Sequence, residues 1–302
     1  MLGQGCSVKI LALIVTFNPD IAQLANLIQA VYPQVAAVAV FDNASDKPVT
    51  IPSLDNLHLV RNPTNVGLAS TYNQGIDLAR ALNATHLLIF DQDSCPASDM
   101  VAQLLEVMTC PEVLANGPVA AVGPMYQDVK GQYAPPFVAL RGLRLRRIPC
   151  AEGECVEVDH LISSGSLISM EALDQVGRFQ DDLFIDYVDT EWCWRARRKG
   201  FRLLGVGAAK MQHSLGEAQF VVLGRPRPLH SPFRLYYQMR NQWWMILQPG
   251  TGWRWRAMDV VRSMKIFLAF SIYAPNKKQN VLHMLRGIAD AFRGRMGKLN
   301  SD

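Results

Sequence analysis

Residues 8–17, VKILALIVTF, form a near-continuous apolar run rich in β-branched positions. That is the pattern of a strand buried on both faces. Similar runs recur at 35–43 (VAAVAVFDN), 57–60 (LHLV) and 86–90 (HLLIF). Between them the apolar spacing turns helical. Leu24, Leu27, Ile28 and Val31 share one face of 21–31, after a turn at Asn18-Pro19-Asp20. Leu68, Tyr72, Ile76 and Ala79 do the same within 65–82. Strand and helix alternate, which predicts an α/β fold with a mostly parallel sheet and right-handed crossovers. Ligands of such sheets bind beyond the carboxyl ends of the strands. The polar strand endings Asn18, Asp42-Asn43 and Asp91-Gln92-Asp93 all fall on that edge.

Past residue 125 the pattern loosens. Residues 125–156 read as a loop-rich excursion with Pro135-Pro136 and a basic run from Arg141 to Arg147. Residues 158–170 read as strand material broken by Ser-Gly-Ser. Residues 188–201 predict a helix capped by Asp189, with Arg and Lys in its last turn before Gly200. A strand at 201–207 leads to His213. No internal repeat or low-complexity segment interrupts the chain.

Composition narrows the class. The 302 residues are 49% hydrophobic, enough for one large α/β domain with an appendage. No apolar run reaches the ~18 residues of a spanning helix. The start, MLGQGCSVKI, lacks a signal peptide's charged region and cleavage site, so the body of the chain is expected in the cytoplasm. Six scattered cysteines without paired spacing predict reduced thiols. Charge is uneven. Residues 225–302 hold 14 of the 30 Lys and Arg but only 3 of the 26 Asp and Glu. An acidic body with a basic tail points to a polyanionic partner, a membrane surface or nucleic acid.

The stretch LLIFDQDSCP (87–96) carries the chemistry, because a buried-looking strand ends in two carboxylates one residue apart. Two such oxygen ligands suit Mg²⁺ or Mn²⁺, with substrate phosphates completing the shell. Alone, the pair is a weak signal that a solvated turn would also produce. Its company is specific: VTFNPD, FDNASD, NPTNVGLASTYNQGI, FDQDS and FIDYVDTEWCWRARRKGF follow in order. Over residues 8–245 the sequence resembles the inverting family 2 glycosyltransferases of the GT-A fold, and within them bacterial rhamnosyltransferases of O-antigen and related polysaccharide assembly. The resemblance implies a Rossmann-like nucleotide-sugar domain at 1–245 and a metal-dependent single displacement. A helical, basic extension follows at 246–302.

The same resemblance implies roles. Thr16 and Asn18 hold the nucleoside, Asp42 accepts from the base, and Asn43 and Ser45 lie beside it. Asn65 and Gly67 pass under the nucleotide, glycine permitting close approach to the ligand; Asn73 and Gly75 continue that motif. Asp93 ligates the metal, with Asp91 nearer the ribose. His213 completes the coordination or is an ordinary structural histidine. Inversion needs a general base for the acceptor hydroxyl, and Asp189 matches it. The family's usual Glu-Asp is here Val188-Asp189, and Glu191 is kept as support or alternative. Ser164 and Gly165, in SSGSLIS, match a loop contacting donor sugar or acceptor. Arg240, with Arg234, Tyr236, Tyr237 and Asn241, either reaches the diphosphate or forms a structural helix joint.

Trp243, Trp244, Trp253 and Trp255 mix with arginines in the tail, and 258–274 sets Asp259, Arg262 and Lys265 on one side. Interfacial helices have this composition. The expected enzyme transfers L-rhamnose from dTDP-L-rhamnose to a lipid-linked saccharide, peripherally on the inner face of the bacterial membrane. Another donor such as a UDP-hexose is the first alternative. A nucleic-acid-binding module is the second, though it lacks a signature beyond charge. No GxGxxG follows the first strand, which argues against a dinucleotide dehydrogenase.

Overall fold

The computed structural model describes residues 7–128, 137–142, 144–213 and 219–299; the side chains of 127, 128, 144, 145 and 213 lie outside that description. The first half runs β1 (Ile10–Thr16), α1 (Ile21–Val31), β2 (Ala37–Asp42), β3 (Leu57–Arg61), α2 (Leu68–Ala81), β4 (His86–Asp91), β5 (Ser94–Pro96), α3 (Met100–Thr109) and the single-turn α4 (Pro111–Leu114). There follow β6 (Val119–Asp128), β7 (Phe137–Arg141), β8 (Arg144–Ile148), β9 (Cys155–Glu157), β10 (Leu167–Ser169), α5 (Met170–Val176), α6 (Val188–Arg198) and β11 (Arg202–His213). A β12–β13 hairpin (Gln219–Val222, Arg225–Pro228) precedes α7 (Pro232–Leu247), α8 (Trp253–Ile272) and α9 (Lys277–Phe292).

The main sheet has the order β3-β2-β1-β4-β10-β6-β11-β5, with β9 beside β11. Neighbours from β3 to β4 are parallel; β10, β5 and β9 pair antiparallel. All seven residues of β1 are buried, as its continuous apolar run predicts. Their period-2 alternation divides the core. Leu11, Leu13 and Val15 face a cluster with Tyr72, Ile76, Leu173 and Trp192. Ile10, Ala12 and Ile14 face a second with Leu24, Leu27, Ile28 and Leu104. Helices α2, α5 and α6 thus cover one face, and α1 and α3 the other. Asp20 caps α1, accepting from the backbone N–H of Ala22 at 2.9 Å and Gln23 at 3.0 Å.

Residues 125–156 are more regular than the sequence predicts. They include the end of β6, the β7–β8 hairpin and β9; Pro135-Pro136 lies outside the described residues. Helix α6 is not capped by Asp189. Its cap position is Tyr187, in the left-handed region, and Asp189 is the second helical residue.

The last three helices share a core of Leu235, Met239, Phe270 and Met284. Helix α7 runs across the expected boundary at 245. Gly287 of α9 lies so close to it that an added Cβ would stand 2.4 Å from the Tyr236 carbonyl oxygen. Asp259 does not join Arg262 and Lys265 on a solvated face. It is fully buried, and Tyr187, Gln242 and Trp255 donate to it, because it faces α7 and the loop before α6. Among the described residues no helix is long and apolar enough to cross a membrane.

Candidate active site

Register brings the first group together. Thr16 lies opposite Asp42, and Val15 opposite Asp91, so three strands end at one level. Asp42 is 1% exposed. Both its oxygens accept from Ser45 N at 3.3 Å, the Ser45 hydroxyl donates to Oδ1, and Thr16 Oγ1 donates at 3.4 Å. Arg61 Nε stands 3.5 Å away. The carboxylate is thereby oriented before any ligand arrives. Asn18, at φ 49°, locks the neighbouring loop: its N–H donates to Ser45 Oγ at 2.7 Å and its Oδ1 accepts from Asp46 N at 2.8 Å. Asn43 Nδ2 donates to Asn65 Oδ1 at 3.0 Å, and that same oxygen accepts from Gly67 N at 3.0 Å.

The second group surrounds the paired aspartates. The turn at 92–93 joins β4 to β5, and Gln92 Oε1 accepts from Phe17 N at 2.8 Å. Beneath it, Ser164 Oγ accepts from Asp91 N at 3.1 Å and meets Ser94 Oγ at 2.6 Å. Ser164 is 1% exposed, so it braces the aspartate turn instead of facing a sugar. Gly165, at φ 79°, makes that brace possible. A Cβ there would lie 2.6 Å from Pro124 Cγ and 2.9 Å from Met211 Sδ. His213 pairs opposite Ser94 across β11 and β5, one residue from Asp93. That register puts its backbone beside the aspartates, while its side chain is outside the described set. Asp91 and Asp93, with phosphate oxygens, fit the usual donor set of a magnesium ion. Among the described residues no three His, Cys, Asp or Glu side chains form a ready cage.

The third group is the loop before α6. Phe184, Asp186 and Tyr187 have φ of 64°, 62° and 64°. Each such non-glycine residue costs about 1–3 kcal/mol and persists only where its surroundings enforce it. Helix α7 supplies the enforcement. Asn241 Nδ2 donates to the carbonyls of Leu183 (2.9 Å), Ile185 (2.8 Å) and Asp186 (2.8 Å). Arg240 donates to those of Asp182 and Leu183, each at 3.0 Å, and Arg234 pairs with Asp186 at 3.2 Å. Arg240 is completely buried, so of its two expected roles it performs the helix joint and does not reach a diphosphate.

The loop delivers Asp189. Its Oδ1 accepts from Thr190 N at 2.7 Å, while Oδ2 stands 3.7 Å from His160 Nε2. Burial pushes its carboxyl up, but His160 and the Thr190 bonds outweigh that and hold it below the usual carboxylate range. Glu191 points elsewhere. It is 4% exposed and held by Arg195 at 2.6 and 2.8 Å, so it is not placed as an alternative base.

Three expected positions make contacts within the chain. Gly67 does allow a close approach, but to Phe184, whose carbonyl oxygen an added Cβ would meet at 2.7 Å. Asn73 clasps the 179–181 segment, donating to Phe179 O at 2.9 Å and Asp181 Oδ1 at 2.8 Å, and does not face the strand ends. Gly75 lets α2 sit on Leu13.

Sequence reasoning misses two residues. By periodicity Tyr72 is one of several core positions, yet its hydroxyl donates to Ser163 Oγ at 3.0 Å. Burial raises its phenol well above the ordinary value, and the charges of Asp91 and Asp189 add to the rise. His160, in VDHLISS, has no helical or strand periodicity to mark it.

A match to known proteins adds to this geometry. The Glycosyl transferase family 2 model covers residues 12–177. The chain is 30% identical over 293 residues to the dTDP-rhamnosyl transferase RfbF of Shigella flexneri, covering 96% of this chain and 97% of the relative. It is 23% identical over 233 residues to the low-salt glycan biosynthesis hexosyltransferase Agl10 of Haloferax volcanii, covering 71% and 69%. Its fold is shared with solved structures of low identity. GalNAc-T7 with UDP, GalNAc and Mn²⁺ superposes at a TM-score of 0.60 and 16% identity, over 96% of this chain and 57% of that one. S. aureus TarS with UDP-GlcNAc superposes at 0.55 and 15%, over 95% and 81%.

Proposed function

The chain belongs to glycosyl transferase family 2, and on that premise we propose that it moves L-rhamnose from dTDP-L-rhamnose to a lipid-linked saccharide. The product is a growing O-antigen-type polysaccharide. The observation that carries the donor is the 30% identity to a dTDP-rhamnosyl transferase along nearly the whole of both chains. A hexose donor, such as a UDP-hexose, is the second reading; the likeness to a hexosyltransferase favours a hexose.

In this reading the strand-end loops of Thr16, Asn18, Asp42, Asn43 and Asn65 seat the nucleoside. Asp42 is held in place by Ser45 and Arg61. Asp91, Asp93 and His213 would hold Mg²⁺ or Mn²⁺, which neutralises charge on the leaving diphosphate when bound. Asp189 takes the acceptor proton through Oδ2, since Thr190 occupies Oδ1. Attack from that side, opposite the nucleotide, inverts the sugar carbon.

The acceptor's lipid gives the tail its role. Val261, Met264, Leu268 and Ile272 line an exposed stripe of α8 at helical spacing, and Leu282, Leu285 and Phe292 one of α9. Among the described residues of 253–299 the acidic side chains, Asp259 and Asp290, are buried. Arg254, Lys265, Lys278, Arg286 and Arg293 are exposed. Apolar stripes flanked by bases suit an anionic membrane surface, on the inner face of the bacterial membrane.

Calorimetry tests the donor. We expect dTDP-L-rhamnose to bind with Mn²⁺ or Mg²⁺ and to lose affinity in chelator. Preference for a UDP-sugar would replace the donor, and metal-independent binding would remove the metal role.

A further inference from the structure

The transfer as proposed gives His160 no part, although its placement is unusually determined. The segment carrying it is wedged between two strands. Val158 N donates to Leu203 O of β11 at 3.0 Å, and His160 itself bridges to Val138 of β7. Between them Asp159 is buried, accepts from Leu140 N and pairs with Arg197. Arg197 belongs to α6, the helix that carries Asp189. The two side chains that meet at 3.7 Å therefore sit on elements tied to each other beside the contact. Both are about a quarter exposed, 24% and 25%, so they line a cleft and are not sealed in the core. On its other side the imidazole borders a cavity of about 200 Å³, between the sheet and the β7–β8 hairpin, with Phe137, Arg147 and Leu161 in its wall.

We propose that His160 acts through Asp189: its unprotonated Nε2 relieves Oδ2 of the proton that transfer releases. The inference rests on Asp189 being the base. In the transfer step the acceptor O–H bond breaks and its proton passes to Asp189 Oδ2. The acceptor oxygen bonds to the sugar carbon as that carbon's bond to the diphosphate oxygen breaks, with the electron pair leaving on the diphosphate. The proton then moves from Asp189 Oδ2 to His160 Nε2. This restores the carboxylate and leaves an imidazolium, which gives its proton to water by way of the cavity.

Contact with His160, together with the Thr190 bonds, holds Asp189 below the usual carboxylate range despite burial. A carboxylate of that kind is a weak base and retains a proton poorly at neutral pH. An imidazole titrates closer to neutrality and accepts it downhill. The reverse also follows. When His160 is already protonated it pairs with Oδ2 and competes with the acceptor hydroxyl, so turnover falls as pH drops through the titration of the pair. The other groups facing the pair are Tyr72 from α2, Arg262 from α8 and Cys193 one turn along α6, with Tyr126 and Arg147 on the cavity side. Burial pushes the Cys193 thiol up to about 12, and burial pushes Tyr72 up as well, so both stay neutral across the range tested.

Two measurements on the full chain test this. Nitrogen-15 spectra of the histidine rings, recorded from pH 5 to 9, would follow His160 in the wild type and in Asp189→Asn. We expect the His160 ring signals to follow a different course with pH in the variant, as removal of an adjacent opposite charge requires. An unchanged course overturns the proposal. The second is the pH profile of slow dTDP-L-rhamnose hydrolysis, with water as acceptor, for wild type and His160→Gln. We expect slower turnover and an acid limb displaced to lower pH in the variant, at unchanged thermal midpoint. Coincident acid limbs would overturn the proposal too. Failure of the donor reading shows separately, as no hydrolysis by the wild type, while the ring titration still tests the coupling of His160 to Asp189.

Discussion

The hydroxyl of Tyr187 donates to Asp259 Oδ1 at 3.2 Å, joining the residue that opens α6 to the first helix of the C-terminal pair. Gln242 and Trp255 donate to the same carboxylate, at 3.3 and 3.0 Å. Asp259→Ala would leave the buried Tyr187 and Gln242 and the half-buried Trp255 without this acceptor, a buried unpaired donor costing about 1–3 kcal/mol. We expect a loss of roughly 3 kcal/mol in denaturant unfolding, together with a drop in turnover, since Tyr187 sets the start of α6. Turnover at the wild-type level in a destabilised variant would show that α8 braces the fold without orienting the base.

Asp189→Asn should bind sugar nucleotide normally and lose turnover by about 10²–10⁴-fold, the usual worth of a positioned base. Stability gives a second readout. The Asp189 carboxyl lies below its ordinary range in the folded chain, so its ionised form favours folding. That contribution is present above the ordinary carboxylate range and is lost as pH falls through the depressed folded value. The gap in unfolding midpoint between wild type and Asp189→Asn should therefore close on acidification. Near-normal turnover in the variant would place the base elsewhere.

Asp93→Ala should abolish metal-dependent donor binding in calorimetry. Donor affinity equal to wild type, still sensitive to chelator, would move the metal away from this turn.

Gly67→Ala tests the joint between α2 and the base loop. The position has φ 86°, and the new Cβ would meet Phe184 Cδ2 at 2.6 Å and its carbonyl oxygen at 2.7 Å. We expect a cost of about 2–3 kcal/mol from strain and overlap. Turnover should fall further than donor affinity, because Phe184 belongs to the loop that leads into Asp189. A purely donor-binding defect would restore the nucleotide as the reason for glycine.

The double variant Leu268→Glu, Leu282→Glu changes the two exposed stripes and no buried contact. Losing burial of each leucine in lipid should weaken sedimentation with anionic vesicles by about tenfold per site, with donor affinity unaffected. Unchanged sedimentation would rule the stripes out as the membrane surface.

How far the sequence carries depends on the range of the forces involved. Strand β1, buried on both faces, is legible because an apolar run of that length has few other uses. The helical faces of α1 and α2 follow from period alone. The level edge of Thr16, Asp42 and Asp91 is legible because parallel strands entering one sheet end together. So is Asp189 as a position, through an ordered motif. What each polar group touches is not. Asn73 and Arg240 carry residue types that bind phosphates and nucleosides, yet backbone carbonyls 57 or more residues away claim them. A buried polar group must be satisfied, and it takes whichever partner packing brings near. Asp259 looks like one of a row of surface charges for the same reason: helical spacing shows which residues share a side, but not which side is covered. His160 is the extreme case. Nothing local marks it, and only the crossing of its segment with α6 sets it beside Asp189. The sequence by itself determined the order of the elements and the edge where chemistry gathers, because periodicity and strand-end composition are local properties. The tertiary structure decided which polar residues are free to meet a ligand, because that depends on long-range neighbours.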